Sequence, residues 1–313
     1  MRDTWTIAIH GGAGTIRRDE LTPDKEAAFR AALHAALQAG GAILDAGGSA
    51  EAAVIAAAMS LEDCPLFNAG HGSTFTAAGS IEMDAALMTS TARAGAVTGA
   101  TRIRNPILAA QAVMRATPHL LLAGQAADDF AASQGLALEA PAYFETEHRR
   151  QQLLAAQAAQ TVSLDHDLPA KMGTIGAVAR DRNGMLAAAT STGGMTNKRA
   201  GRVGDTPILG AGTWADSHVA VSCTGTGEAF MRCAAAHEIA ALMRLAGKSL
   251  AEATAEVALI RVPEAGGRGG LIAVDAEGEV ALPFGTEGMY RGWWRAGATP
   301  HTAIHQEQNS PRE

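Results

Sequence analysis

Strand-forming and helix-forming stretches come in blocks along this chain instead of alternating one by one, and that ordering limits its architecture more than any single motif. Strict alternation would call for a doubly wound parallel sheet or a barrel, whereas blocks call for packed layers of sheet and helix, an α+β arrangement. The first strand spans Thr4 to Ile9 and runs into His10-Gly11-Gly12-Ala13-Gly14, where three glycines predict a loop. A helix block follows. Thr22-Pro23 with Asp24 and Glu26 is a helix start, and Phe29, Leu33 and Leu37 mark one buried face. Gly40-Gly41 is expected to end or interrupt that helix, and Ser49 caps a second, alanine-rich one that runs to about Leu61.

The texture then changes to glycine, threonine and alternating apolar residues, with strands expected over Ser80 to Met88 and Ala94 to Ile103. Helices are expected after Asn105-Pro106 and around Gln125 to Ser133. From about Pro141 to Pro169 the chain is charged and glutamine-rich, with a helical piece near Arg149 to Gln160, and reads as an exposed connector. Strand texture returns at Thr174 to Arg180 and Leu186 to Thr190, joined by Asp181-Arg182-Asn183-Gly184, whose Asn-Gly pair signals a hairpin. Val219 to Cys223 reads as a strand, Gly227 to Leu245 as one long helix, and Gly270 to Val274 with Glu279 to Pro283 as a last hairpin.

Bulk properties remove several classes of function. With 25 basic and 32 acidic residues and no basic block, the chain lacks the electrostatic footprint of a nucleic-acid binder. Three cysteines (Cys64, Cys223, Cys233) without CxxC spacing suggest neither a disulfide framework nor a zinc cage, and suit a reducing compartment. The most apolar stretch, Ala31 to Leu61, is broken by Asp45, Glu51 and several glycines, so no membrane span is expected. Met1 to Ile9 carries Arg2 and Asp3 and only a short apolar run, unlike a secretory signal. A cytoplasmic protein is the expectation.

Four segments could carry chemistry. In Lys171-Met172-Gly173-Thr174-Ile175-Gly176, a threonine follows glycine at the start of a buried strand. Strand preference alone explains such a threonine. If the bond before it is cut, however, the freed α-amine becomes a base beside its own hydroxyl, with an ordinary pKa of about 7.7–8.0. Thr190-Ser191-Thr192-Gly193-Gly194 crowds hydroxyls before a double glycine, which suits a polar pocket wall or a surface loop. Arg202 and Asp205 could present a cation and an anion to a zwitterionic head group, or form a surface ion pair. Ser222-Cys223-Thr224-Gly225-Thr226-Gly227-Glu228 joins a strand to a helix start, where free N–H groups stabilise negative charge in an oxyanion hole or a phosphate cradle. Neither GxGxxG nor GxxxxGK[ST] is present, which disfavours phosphate.

Taken in order, IAIHGGAG, LEDCPLFNAGHGS, EMDAALM, RAGAV, RNPILAAQAV, GTIGAVA, TSTGGMTNK, GRVGD, SCTGTGE and LPFGTEGMYR, spread from residue 7 to about residue 291, resemble the plant-type asparaginase and isoaspartyl peptidase family of N-terminal-nucleophile hydrolases. The resemblance implies a four-layer αββα sandwich, one domain over residues 1–313. It implies autocatalytic cleavage between Gly173 and Thr174 into an α chain (1–173, with 141–173 a flexible connector) and a β chain (174–313). It makes Thr174 the nucleophile, with Thr192 supporting its hydroxyl and Asn68 beside it. Thr224 and Gly225 become the oxyanion hole, Arg202 the holder of the substrate α-carboxylate, and Asp205 with Gly227 the holders of its ammonium. Backbone carbonyls of Leu61, Glu62, Cys64, Phe67, Ala69 and His71 would hold a structural sodium ion, and catalysis would need no cofactor. The implied assembly is a homodimer of αβ units (α2β2). The implied reaction releases L-aspartate from L-asparagine and β-aspartyl dipeptides. Alternatives within the resemblance are a glycosylasparaginase-like or endoprotease relative; from another class, a non-catalytic amino-acid-binding protein on the same fold. At Gly285 many relatives carry asparagine.

Overall fold

The computed structural model describes residues 4–19, 21–159 and 173–306 and shows a mixed α+β fold. Among these residues the strands are β1 (Thr6–Gly14), β2 (Met83–Thr89), β3 (Ala94–Ala100), β4 (Leu121–Ala123), β5 (Ile175–Arg180), β6 (Leu186–Thr192), β7 (Thr213–Ala215), β8 (Val219–Gly225), β9 (Gly269–Asp275), β10 (Val280–Ala281), β11 (Gly288–Arg295) and β12 (His301–Ala303). The principal helices are α1 (Pro23–Asp45), α2 (Ala50–Glu62), α3 (Pro106–Ala116), α4 (Gly124–Ser133), α5 (Glu147–Ala158), α6 (Gly227–Arg232), α7 (Ala235–Ala246) and α8 (Leu250–Glu256). One sheet has the order β12-β11-β1-β5-β6-β2-β3-β4, the other β10-β9-β8-β7.

Three apolar clusters hold these elements together. Ile7, Ile9, Ala177 and Ala189 of the larger sheet pack with Leu33 and Leu37 of α1, Val54 and Leu61 of α2, and Ile107 and Val113 of α3. Val219, Val221, Leu271 and Ala273 of the smaller sheet pack with Phe230, Ile239, Leu250 and Ala253. Between the sheets, Ala8, Val178 and Ala188 meet Ala220, Ile272 and Val274. Successive side chains of a strand point to opposite faces. The central strands, apolar and buried on both faces, therefore fit only where both faces are covered. No helix among the described residues is long and apolar enough to cross a membrane.

Local signals were legible where a cap or turn residue carries them. The Thr22 hydroxyl accepts from Lys25 N and the Ser49 hydroxyl from Ala52 N, as cap residues do. In the β5–β6 hairpin, Asp181 Oδ1 accepts from Asn183 N (2.9 Å) and Met185 N (3.0 Å), closing the predicted turn.

Four expectations are corrected. The glycines of His10 to Gly14 do not leave the sheet: pairing with β5 ends at His10, but β1 runs on beside β11, with a register shift between His10 and Ala13 absorbing the irregularity. Gly40-Gly41 does not break α1. A Cβ at Gly40 would stand 2.4 Å from Ile7 Cδ1, and one at Gly41 2.2 Å from the Trp294 ring, so these glycines let the helix lie close on the sheet. The long helix from Gly227 is two, α6 and α7, separated at Ala234, whose φ of 45° is left-handed. The start of the connector is exposed along only one side: Phe144 and Leu153 join a cluster with Phe75 and Met83, and buried Arg149 donates from Nε to Gly72 O, while most of its neighbours remain exposed. The rest of that connector, residues 160–172, lies outside the described residues.

Candidate active site

The segments singled out in the sequence converge where the ends of β1, β5, β6 and β8 meet. Thr174 stands immediately before β5, and its Oγ1 donates to Thr192 Oγ1 at the end of β6 (3.1 Å). Thr192 Oγ1 also accepts from Gly194 N (3.0 Å), so the hydroxyl beside Thr174 is itself held in place. Asn68 braces the turn behind this pair. Its Nδ2 donates to Gly194 O (2.7 Å), its Oδ1 accepts from Thr74 N (2.9 Å), and its carbonyl accepts from Gly193 N (3.1 Å). Both ends of the Asn68 amide are thus committed to the wall that carries Thr192.

Gly173 presses against β1. A Cβ on Gly12, whose φ is 108°, would fall 2.5–2.9 Å from the backbone of Gly173, so only glycine lets the chain before Thr174 pass there. One residue on, Ala13 N donates to Thr224 Oγ1 (3.3 Å), bringing the end of β8 beside the same stretch of β1. Gly225 follows at a φ of 144°, and α6 begins at Gly227.

The charged residues gather next to Gly227. A Cβ there would stand 2.8 Å from Asp205 Oδ1 and 2.9 Å from an Arg202 guanidinium nitrogen. Asp205 is buried, and no partner reaches its Oδ2. Desolvation is the largest influence and pushes its pKa up to about 7, against the pull of nearby Arg202. Arg202 makes a bidentate ion pair with Glu228 (3.0 and 2.8 Å), and its guanidinium holds the Glu228 carboxyl below the usual range. The alternative of an ion pair between Arg202 and Asp205 is not what forms: the carboxylate that grips Arg202 is Glu228, one residue into α6. Sequence gave no separate signal for Glu228, because an acid in the first helical turn is ordinary.

The Leu61 to His71 stretch forms a tight loop after α2. Carbonyls of Glu62 and Cys64 each accept one N–H, from His71 and Phe67, and keep a second lone pair, whereas Leu61 O accepts from both Asp63 N and Cys64 N. Beside Gly72, the carbonyls of Phe67 and Pro65 lie 2.8 and 2.7 Å from the point a Cβ would occupy. These two oxygens turn to one point, and neutral carbonyl oxygens of this kind suit a hard monovalent cation. The Glu62 side chain points elsewhere, accepting from Ile107 N, and burial raises its pKa to about 8. The His71 ring lies 5.0 Å from that of Tyr143.

Sequence comparison fits this geometry. Residues 3–304 match the family model described as asparaginase. The chain belongs to the asparaginase family. It is 54% identical over 308 residues to an isoaspartyl peptidase of Salmonella typhimurium, covering 96% of this chain and 98% of the relative. It is 52% identical over 309 residues to an isoaspartyl peptidase of Escherichia coli, covering 96% of both chains. A plant-type L-asparaginase of Pyrobaculum calidifontis is 37% identical over 295 residues, covering 93% and 97%.

Proposed function

We propose that this asparaginase-family chain hydrolyses L-asparagine and β-aspartyl dipeptides to L-aspartate, with Thr174 as the nucleophile after the chain has cut itself between Gly173 and Thr174. Family membership and the names of its relatives support the reaction. The observation that supports the site is the Thr174–Thr192 hydroxyl pair, set between the Gly12–Gly173 contact and Thr224.

In the uncut chain the Thr174 nitrogen is an amide and cannot serve as a base. Attack of Thr174 Oγ1 on the Gly173 carbonyl carbon forms an ester and breaks the peptide bond, the hydroxyl proton passing to the departing nitrogen. Water then releases the Gly173 carboxylate and leaves a free Thr174 amine. In turnover that amine takes the hydroxyl proton as Oγ1 attacks the substrate side-chain carbonyl. Thr224 and Gly225 stabilise the oxyanion, the amine or ammonia departs, and water releases aspartate. Arg202 takes the α-carboxylate. Asp205, whose Oδ1 faces Gly227 and whose Oδ2 has no partner, takes the ammonium.

The same reading makes the fold a four-layer αββα sandwich, supported by the clusters on the outer faces of both sheets and between them. It makes residues 1–173 the α chain and 174–313 the β chain of one domain. It also places a sodium ion in the carbonyl loop, pairs two αβ units in a homodimer, and puts the protein in the cytoplasm, where the free thiols of Cys64, Cys223 and Cys233 are at home.

Intact-mass analysis of wild type beside Thr174→Ala tests the central claim. Two fragments parting between Gly173 and Thr174 in wild type, and one whole, inactive chain in the variant, are expected. A wild type that stays whole yet turns over asparagine would overturn it.

A further inference from the structure

His10 has no role in the chemistry described so far, yet it is fully buried and touches the nucleophile residue. Its Nδ1 lies 3.0 Å from the carbonyl oxygen of Thr174, and its Nε2 lies 2.9 Å from Ser222 Oγ. A carbonyl oxygen only accepts, so Nδ1 carries a proton, and in the neutral ring that burial enforces Nε2 keeps the lone pair. Ser222 must then donate to Nε2. That leaves Ser222 Oγ to accept from Thr190 Oγ1 (2.8 Å), and Thr190 Oγ1 to accept from Thr213 Oγ1 (2.7 Å). One consistent direction of donation runs through Thr213–Thr190–Ser222–His10–Thr174, with the carbonyls of Gly212 and Thr206 as second acceptors for the Thr190 and Thr213 hydroxyls (3.3 and 3.1 Å), and no member is charged.

The chain crosses between the two sheets. His10 and Thr190 belong to the larger sheet, Ser222 and Thr213 to the smaller. The crossing passes over Gly176, which pairs with His10 on one side and Thr190 on the other. A Cβ at position 176 would stand 2.0 Å from Ser222 Oγ and 2.5 Å from His10 Nε2, so the link requires glycine there. Burial, the largest influence on the imidazole, lowers its pKa to about 3 and keeps it neutral wherever a threonine amine can act as a base.

We propose that His10 is a positioning residue: as a neutral Nδ1–H imidazole, oriented by the Ser222–Thr190–Thr213 hydroxyl chain, it fixes the Thr174 carbonyl and so aims the threonine nucleophile. The proposal rests on the Thr174 reading above. Cutting the chain frees Thr174 on its amino side. Its Oγ1 and α-amine share one Cα, so their direction is then set by rotation against the plane of the carbonyl. His10 holds that plane.

Two substitutions and one spectroscopic signature test this. Asn carries an amide nitrogen near the place of Nδ1, so His10→Asn keeps a donor toward Thr174 O, whereas His10→Ala removes it. For L-asparagine, His10→Ala should lower kcat by about 10–100-fold while KM stays within about twofold, and His10→Asn should recover most of the loss. In nitrogen-15 NMR of wild type, the imidazole whose signal vanishes in His10→Asn should show the Nδ1–H tautomer and not titrate between about pH 5 and about 9. An unchanged kcat in His10→Ala, a loss confined to KM, an Nε2–H tautomer, or titration in that range would overturn the proposal. If His10→Ala does not fold, Ser222→Ala replaces it with the same expectation in kcat, and the wild-type tautomer still decides. Thr174→Ala separates the two claims: activity surviving in that variant refutes the nucleophile assignment itself, while the imidazole signal of that uncut chain continues to report the His10 bond.

Discussion

The two halves of the candidate site are built from opposite materials. Around the proposed nucleophile, Thr174, Thr192, His10, Ser222 and Thr190 are all uncharged, and directional hydrogen bonds hold them. Around the proposed seat of the substrate's α end, Arg202, Glu228 and Asp205 put three ionisable groups beside Gly227. The difference follows from what each half must do. Aiming a hydroxyl needs fixed angles, which neutral hydrogen bonds supply without a desolvated charge to stabilise. Selecting a zwitterion needs complementary charge, and an unmet carboxylate such as Asp205 is most useful when the ligand brings the missing cation.

If that division is right, the neutral half should register in kcat and the charged half in KM. The largest effect belongs to Thr174→Ala, expected to stay uncleaved and to lose about 10⁴-fold or more in turnover, read by gel and steady-state assay. Next is Asp205→Asn, expected to lower kcat/KM for L-asparagine by about 100-fold at mildly alkaline pH. A carboxyl whose folded pKa is raised to about 7 is protonated below that value and cannot hold an ammonium. Wild-type kcat/KM should therefore rise as pH increases through about 7, and the Asp205→Asn profile should keep only the limb of the Thr174 amine, whose ordinary pKa is about 7.7–8.0. An identical limb in the variant would assign it to the Thr174 amine alone.

Thr192→Val should come third, lowering kcat by about tenfold with KM little changed, because it removes the acceptor of the Thr174 hydroxyl. An effect carried mainly by KM would blur the division between the halves. Smallest is Glu228→Gln, which keeps one acceptor for Arg202 but drops the charge. KM should rise a few-fold, and the difference should shrink in high salt, since the pair is partly exposed.

Much of this site could be read along the chain, and the parts that could not share a cause. Thr174, Thr192 and Asp205 stand out because hydroxyls next to glycines and an isolated acid near an arginine are visible within a few residues. Glu228 and His10 do not stand out, since their partners are remote in sequence: Arg202 is 26 residues from Glu228, and Ser222 is 212 from His10. The misread elements follow the same pattern. Glycines at 40 and 41 look like a helix stop until Ile7 and Trp294 are placed against them, and glycines at 11 and 12 look like a loop until β11 pairs with β1 on both sides of them.

Caps, turn residues, apolar spacing and the ordered family motifs determined the elements, the family and the candidate nucleophile, because each depends on neighbours close along the chain. Which strand lies beside which, that Glu228 and not Asp205 grips Arg202, and that a neutral imidazole reaches across two sheets to the Thr174 carbonyl were decided only by tertiary packing. Packing couples residues by distance in space, and a side chain's partner and protonation follow from what is buried against it, which separation along the sequence does not encode.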